Sequence, residues 1–177
     1  AAAVLKGINK IHKLKLTTNK LEQIASKIGG DVPFFIKGKT QLGEGIGEKL
    51  TEIHNTIIGT YLLVIPKFSI STEWAYSIIK NKLNDQDKKV NFSSFFNGDY
   101  SSLQIFENDF ERIVIPAYPE IAEIKEQLRS TGPKFVSLSG SGSTVYGIFD
   151  DEVGAKSAES LFSHNYSTFI ANPIMHM

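Results

Sequence analysis

A run of five consecutive apolar residues at 61–65 (Tyr-Leu-Leu-Val-Ile) is the feature that most constrains how this chain folds. A short, fully apolar run is typical of a strand buried inside a sheet, and we place this strand at residues 57–66. Further strand patterns cover residues 134–139, 143–149 and 166–172, and helical patterns cover 72–83, 101–114, 117–130 and 152–163. Four strands with helices on one face predict an α+β sandwich with a ferredoxin-like split βαβ arrangement.

The first 56 residues have a different pattern of predicted helices and strands. A helical repeat opens the chain and is carried by Ala1, Val4, Leu5, Ile8 and Ile11. No cap precedes this helix, so we expect that an upstream segment is missing. Asn19 and Glu22 have the spacing of a capping box for a second helix, which Gly29-Gly30 would end. Short strands are predicted at 33–37 and 39–43.

Composition narrows the class of protein. The sequence contains no cysteine, which excludes disulfide scaffolds, thiolate metal sites and cysteine nucleophiles. The 19 basic and 19 acidic side chains balance, which argues against nucleic-acid binding. No apolar run approaches the roughly 18–20 residues that span a bilayer. These features predict a soluble, cytoplasmic protein. The nine lysines among residues 1–50 face either solvent or an anionic ligand such as nucleotide phosphates.

Three glycine-containing segments are candidates for a functional site. In the first, Asp31 lies between Gly29-Gly30 and a strongly apolar stretch. It is either a catalytic carboxylate poised by burial or a turn aspartate that bonds nearby backbone N–H groups. In the second, residues 43–48 place three glycines at alternate positions. That spacing suits close approach of a planar ligand to the backbone, or a hairpin corner.

The third candidate is the Gly- and Ser-rich stretch 137–144, which lies between two strand patterns. Successive glycines place several N–H groups in a concave anion-binding nest, and serine hydroxyls add donors. A Gly-rich hairpin turn explains the same residues. The stretch fits neither the P-loop pattern nor the dinucleotide-binding pattern. The four histidines lack metal-ligand spacing, so no residue is predicted as a metal ligand.

Taken together and in this order, these segments resemble those of the GHMP kinase superfamily. The resemblance spans nearly the whole chain, with Gly30 standing where the family pattern has Ala. It is carried by Ala-Ala-Ala-Val-Leu at 1–5, Gly-Gly-Asp-Val-Pro-Phe at 29–34, Glu-Gly-Ile-Gly-Glu at 44–48, Phe-Ser-Ile-Ser-Thr-Glu-Trp-Ala-Tyr at 68–76, Asn-Asp-Phe-Glu at 108–111, Tyr-Pro-Glu-Ile at 118–121 and Ser-Gly-Ser-Gly-Ser-Thr at 139–144.

The resemblance implies an ATP-dependent kinase of isoprenoid precursor synthesis. Its expected reaction is phosphorylation of the 2-hydroxyl of 4-diphosphocytidyl-2-C-methyl-D-erythritol, with Mg²⁺ offsetting the phosphate charge. By the same resemblance, Asp31 is the catalytic aspartate that orients or deprotonates the hydroxyl. The cytidyl site is lined by Ile46, Thr72 and Tyr76. Support for the phosphate loop comes from Gly140, Ser141, Gly142 and Ser143.

The family's phosphate loop and active-site lysine have no counterpart in this sequence. The resemblance implies that residues 1–56 complete an N-terminal GHMP domain and that residues 57–177 form the C-terminal one. Without the phosphate cradle the isolated chain should be inactive. The expected partners are the cytidyl substrate, ATP, the missing N-terminal segment and a second copy of the chain, without nucleic acid or a membrane. A non-catalytic remnant, or another GHMP kinase acting on a different small alcohol, remains open as an alternative.

Overall fold

The chain divides into two compact units in the computed structural model. The structure describes residues 1–44, 49–53, 59–80, 103, 106 and 108–173. Unit 1 is the described part of the chain up to residue 53, and unit 2 is the described part from residue 59 to residue 173. Among these residues, no helix is long and apolar enough to cross a membrane.

Unit 1 contains three short helices and a two-stranded hairpin. Its elements are α1 (Ala2–Ile11), α2 (Thr18–Ala25), α3 (Val32–Lys37), β1 (Gln41–Glu44) and β2 (Lys49–Glu52), and the two strands are antiparallel. The side chain of Asn9 closes the turn after α1, because it donates to the carbonyl of Leu16 (3.1 Å) and accepts from its N–H (3.0 Å). The core of unit 1 consists of four buried residues, Ala2, Leu21, Ala25 and Ile36.

Two sequence predictions in unit 1 are wrong. The stretch 33–37, predicted as a strand, is the helix α3. A short apolar run does not distinguish a strand from a helix, and Pro33 has the φ angle that the first turn of a helix requires. The second correction concerns α2, which begins earlier than the predicted capping box at Asn19. Its cap is Thr17, whose hydroxyl accepts a hydrogen bond from the N–H of Lys20 (3.3 Å).

Unit 2 is built on a four-stranded antiparallel sheet. Its elements are β3 (Thr60–Ile65), α4 (Thr72–Ile79), α5 (Glu111–Ala117), α6 (Pro119–Arg129), β4 (Phe135–Leu138), β5 (Val145–Phe149), α7 (Glu152–Glu159) and β6 (Ser167–Ala171). The strand order is β4-β5-β3-β6. The chain passes from β3 to β4 and from β5 to β6 by helical connections that each skip one strand. This is the split βαβ arrangement, so the predicted α+β, ferredoxin-like fold is confirmed.

The two faces of the sheet have different surroundings. On β3, Leu62 and Val64 are completely buried and belong to the large core that the sheet shares with the helices. Alternate residues of a strand point to opposite faces, and Tyr61 belongs to a second cluster with Phe135 and Tyr146. A cavity of about 530 Å³ lies over this second face and is lined mainly by aromatic and aliphatic side chains.

Helix α4 follows its sequence prediction in part. Ser71 caps it, because the Ser71 hydroxyl accepts from the N–H of Trp74 (3.2 Å), as the capping pattern predicts. Ile79 is buried and Trp74 packs against the core, but Ile78, which was also expected to face the core, is 37% exposed. The predicted helix over 101–114 lies partly outside the described residues. Its described residues 108–110 are not helical, and α5 begins at Glu111 and continues past the predicted end to Ala117.

Candidate functional site

The Gly/Ser turn, residues 139–144, connects β4 to β5 at one end of the sheet. The N–H of Ser139 donates to the carbonyl of Thr144 (2.8 Å), and the N–H of Gly142 donates to the carbonyl of Ser139 (2.9 Å). Among the described residues, no acceptor is paired with the N–H groups of Gly140, Ser141 and Ser143. The turn therefore presents several backbone donors that an anionic ligand would satisfy.

Packing fixes one half of this turn. Gly142 has φ +91°, and a Cβ added there would lie 2.9 Å from Cδ1 of Ile70 and 3.2 Å from a methyl group of Leu138. Only glycine fits this position without displacing the core. The next residue, Ser143, is buried, and its hydroxyl donates to the carbonyl of Phe68 (2.7 Å). The 142–143 half of the turn is thus attached to the segment that leads into α4.

The start of α4 lies directly beside the turn. The hydroxyl oxygens of Thr72 and Ser141 are 3.1 Å apart and share a hydrogen bond. Tyr76 follows one helical turn after Thr72, which places both side chains on the same face of α4. The Tyr76 side chain is 60% exposed, and its ring meets the ring of Phe110 edge to face, with 5.0 Å between centroids. The structure therefore brings two of the predicted cytidyl residues next to the predicted phosphate turn.

Asn108 holds the other half of the turn. Its side-chain nitrogen donates to the carbonyls of Leu138 (2.7 Å) and Gly140 (2.8 Å). Its side-chain oxygen accepts from the N–H of Phe110 (3.0 Å). Sequence reasoning assigned no role to this residue, because its partners lie 30 and 32 positions away and become neighbours only in the folded chain. The available signal was its place in the Asn-Asp-Phe-Glu motif at 108–111, to which the resemblance attached no role.

A buried ion pair lies next to this contact. Lys125 donates to one carboxylate oxygen of Glu111, and the other oxygen accepts from the N–H of Leu138 (2.8 Å) and the hydroxyl of Ser137 (3.2 Å). Burial is the main cause that raises the pKa of the nearby Tyr146 phenol above its ordinary value of 10.0. The Ser137 hydrogen bond lowers that pKa, and the negative charge of Glu111 raises it further.

A polar cavity of about 540 Å³ borders the same ion pair. The cations in its lining are already matched with acids: Arg112 with Asp109 (3.5 Å), Arg129 with Glu126 (3.1 Å), Lys134 with Asp150, and Lys125 with Glu111. Because each of these positive charges has a negative neighbour, the cavity carries no strong attraction for an anion.

Asp31 belongs to unit 1 and is exposed. It precedes α3 at the N-cap position, yet its side chain makes no capping hydrogen bond. An aspartate at this position usually bonds the N–H groups of the first helical turn. The Asp31 carboxylate is therefore not used for capping, and unit 1 alone does not bury it. Ile46, the remaining predicted site residue, lies outside the described residues.

The described residues do not offer a ligand set for the predicted Mg²⁺. No group of three or more His, Asp or Glu side chains lies close enough together in this part of the chain to hold a metal ion. Magnesium that accompanies a nucleotide usually takes only one or two carboxylates from the protein, and phosphate oxygens and waters complete its octahedron. We therefore assign no residue to the metal and derive no step through it.

Sequence comparison shows which known proteins this chain is similar to. The family model described as "GHMP kinases C terminal" matches residues 91–167. Over 161 residues the chain is 38% identical to "4-diphosphocytidyl-2-C-methyl-D-erythritol kinase" of Geobacter sulfurreducens, covering 91% of this chain and 57% of that relative. A relative of the same name from Thermodesulfovibrio yellowstonii is 38% identical over 170 residues, covering 92% of this chain and 59% of the relative. This chain is a homologue of the GHMP kinases.

Solved structures agree with this homology at the level of the fold. A crystal structure of 4-(cytidine 5'-diphospho)-2C-methyl-D-erythritol kinase matches with a TM-score of 0.77 and 22% identity, covering 96% of this chain and 62% of that one. Homoserine kinase from Cytophaga hutchinsonii matches with a TM-score of 0.62 and 17% identity, covering the same shares. The chain spans 56–60% of the length of the relatives that it matches by sequence.

Proposed function

We propose that this GHMP-kinase homologue belongs to an enzyme of isoprenoid precursor synthesis that acts in the cytoplasm. The enzyme transfers the γ-phosphoryl group of ATP to the 2-hydroxyl of 4-diphosphocytidyl-2-C-methyl-D-erythritol. The observation that carries this proposal is the 3.1 Å contact between the hydroxyl groups of Thr72 and Ser141. It joins α4, which holds two of the predicted cytidyl residues, to the Gly/Ser turn. The names of the relatives support the choice of substrate.

Asp31 has the role of orienting or deprotonating the attacking hydroxyl. Phosphoryl transfer requires little covalent chemistry from the protein, so a carboxylate that positions the nucleophile contributes through geometry and charge. The absence of a capping hydrogen bond on Asp31 supports this role, because its oxygens are not used by α3.

Unit 2 has the role of binding the cytosine base and of supporting the phosphate loop. Tyr76 offers an exposed aromatic face for the cytosine base, and the edge contact with Phe110 fixes the orientation of the ring. The N–H groups of the Gly/Ser turn offer donors beside the phosphate loop. Ile46 contributes an apolar contact to the cytidyl site in this proposal.

The domain assignment is part of the same proposal. Residues 1–56 correspond to the end of a GHMP N-terminal domain, and residues 57–177 to the C-terminal domain. The exposed apolar side chains of α1, which include Val4, Ile8 and Ile11, are then covered by an N-terminal segment like that of the longer relatives or by a second copy of the chain.

The direct test is an assay of the full-length enzyme with ATP and the cytidyl substrate, with homoserine as the competing alcohol. We expect phosphorylation of the cytidyl substrate alone. Transfer to homoserine would favour a different GHMP activity, and transfer to neither would favour the non-catalytic alternative.

Tyr76→Ala tests the placement of the cytidyl site. Loss of base stacking worth about 1–3 kcal/mol should raise the KM for the cytidyl substrate roughly 5- to 150-fold, with little change in the KM for ATP. Phe169→Ala is the matched control, because Phe169 is 59% exposed on β6 and has no proposed role. A change in the KM for ATP alone would place Tyr76 in the ATP site instead of the cytidyl site.

A further inference from the structure

Asn108 uses its whole carboxamide group in hydrogen bonds. The two side-chain donors reach the carbonyls of Leu138 and Gly140, and the side-chain oxygen accepts from the N–H of Phe110. An asparagine that is satisfied at both ends has one orientation and cannot flip without losing these contacts. The group therefore links two segments, one on each side of it.

The donor side of Asn108 holds the half of the Gly/Ser turn that packing leaves unsupported. A Cβ at Gly142 would collide with Ile70, whereas a Cβ at Gly140 would meet no described atom within 4 Å. The position of Gly140 is therefore not set by neighbouring side chains. The 2.8 Å hydrogen bond from Asn108 to the Gly140 carbonyl supplies the missing constraint.

The acceptor side of Asn108 holds the ring that supports Tyr76. Accepting the N–H of Phe110 fixes the backbone at the start of α5, and the ring of Phe110 lies edge to face against Tyr76 at an angle of 80°. Tyr76 and Thr72 share α4, and Thr72 returns to the turn through its contact with Ser141. These contacts therefore connect the Gly/Ser turn and Tyr76 by two routes, one through Asn108 and one through α4.

We propose that Asn108 is a positioning residue that fixes the Gly/Ser turn through its two donors and the Tyr76 wall through its acceptor. The inference rests on the proposed function, because that function places the turn beside the phosphate loop and Tyr76 at the base. Asn108 touches neither substrate in this account. It sets the distance and orientation between the support of the phosphate loop and the aromatic wall of the cytidyl site.

Two substitutions separate the two sides of the carboxamide. Asn108→Asp keeps the oxygen that accepts from Phe110 and removes both donors to the turn, whereas Asn108→Ala removes every contact. Asn108→Asp also adds a negative charge, and Asn108→Ala controls for it because it removes the donors without that charge. Asn165→Asp is a matched control for the chemical change at an exposed position.

Steady-state kinetics of the full-length enzyme give the expected pattern. Misplacement of a positioning element by about 1 Å costs on the order of 10²-fold in rate, so kcat should fall about 100-fold in both variants. The KM for the cytidyl substrate should stay within about twofold of wild type in Asn108→Asp and rise about 10-fold in Asn108→Ala, where the support of Tyr76 is lost. Asn165→Asp should match wild type.

A purely structural role gives a different result. The folded variants would then keep the kcat and both KM values of wild type and show only a lower Tm, which would overturn the proposal. An unchanged KM for the cytidyl substrate in Asn108→Ala would overturn the assigned link to Tyr76.

Failure of the proposed function is recognised separately, because wild type itself would then not phosphorylate the cytidyl substrate. In that event hydrogen exchange decides the positioning role. Faster exchange of the hydrogen-bonded N–H groups of Ser139 and Gly142 in Asn108→Asp, with the rest of unit 2 unchanged, supports it. Unchanged exchange at these two groups, or faster exchange throughout unit 2, overturns it.

Discussion

Unit 1 and unit 2 differ most in how much of their apolar surface they bury. The main core of unit 2 contains 17 buried residues, and the core of unit 1 contains four. In unit 1 the α1 side chains of Val4, Ile8 and Ile11 are 62%, 45% and 76% exposed, although they follow one another at helical spacing. An amphipathic pattern thus predicts a helix and its apolar face, but it does not identify the partner that covers that face.

The same contrast separates the proposed roles of the two units. Unit 2 holds Thr72 and the Gly/Ser turn by hydrogen bonds and Tyr76 by its ring contact with Phe110, over a large core, as accurate positioning requires. Unit 1 contributes Asp31, an exposed carboxylate on a short helix. We therefore expect substitutions in unit 1 to affect the chemical step without loss of stability, and substitutions in the core of unit 2 to affect stability first.

Asp31→Asn should give the largest effect and the sharpest form of this contrast. Loss of a positioned acid or base costs about 10²- to 10⁴-fold in turnover, so we expect kcat to fall by that factor in the full-length enzyme. The affinity for ATP and the Tm should remain close to wild type, because the Asp31 side chain makes no capping bond. Single-turnover phosphorylation at varied ATP concentration measures the rate and the ATP affinity, and thermal unfolding measures the Tm.

The matched control for this prediction is Asp151→Asn in unit 2. Asp151 caps α7 by accepting from the N–H of Gly154 (2.9 Å), and asparagine caps a helix equally well. This variant should match wild type in both rate and stability. A normal rate in folded Asp31→Asn would remove the catalytic role from unit 1.

Phe162→Ala and Phe35→Ala compare burial in the two units directly. Phe162 is completely buried in unit 2 and should lose about 3–5 kcal/mol of unfolding free energy. Phe35 is 61% exposed in unit 1, and its replacement should cost less than about 0.5 kcal/mol. Native-state hydrogen exchange of residues 1–177 reports each unit separately. A large cost at Phe35 would show that its surface is covered in solution and would break the comparison.

Sequence reasoning succeeded for the strands of the unit 2 sheet. The apolar run at 61–65 and the patterns at 134–139, 143–149 and 166–172 correspond to β3–β6, and their connections gave the correct sheet topology. It failed where several residues compete for one role. Thr17, Thr18 and Asn19 are all suitable caps, and the geometry that selects Thr17 exists only in the folded backbone.

The segments of the candidate site follow from the sequence, and the contacts between them do not. The motifs identified Thr72, Tyr76 and residues 140–143, and the structure brings this group together. The contact of Thr72 with Ser141 joins residues 69 positions apart, and neither periodicity nor spacing specifies such a pair. Asn108 was missed for the same reason, because its partners are tertiary neighbours.

Lys125→Met tests how far buried charge contributes to unit 2. Removing the cation leaves the largely buried Glu111 carboxylate without its partner, which should cost about 3 kcal/mol. Fluorescence of Trp74, the single tryptophan, measures the unfolding of this unit. Combining Lys125→Met with Glu111→Gln should recover most of the loss, because the amide oxygen still accepts from Leu138.

An exposed ion pair provides the control for Lys125. Lys156 and Glu152 lie 2.7 Å apart on the surface of α7, and Lys156→Met should leave the stability unchanged because solvent screens such pairs. Equal losses at Lys125 and Lys156 would show that burial does not determine the contribution of these pairs.

Tyr146→Phe should give the smallest effect, visible only at high pH. Burial is the main reason that the pKa of Tyr146 is raised above 10.0 in the folded chain, so the folded state holds the phenolic proton more tightly than the unfolded state does. The resulting stability is fully present below pH 10.0 and is lost as the pH rises through the higher, folded-state pKa. The pKa of Tyr166 is raised as well, first by burial and then by Glu120, so the two tyrosines share this loss. Tm measured from neutral pH to about pH 11 should therefore fall less steeply in Tyr146→Phe than in wild type, and less steeply still when Tyr166→Phe is added. An alkaline slope that is the same in all three proteins would show that neither phenol is linked to the stability of unit 2.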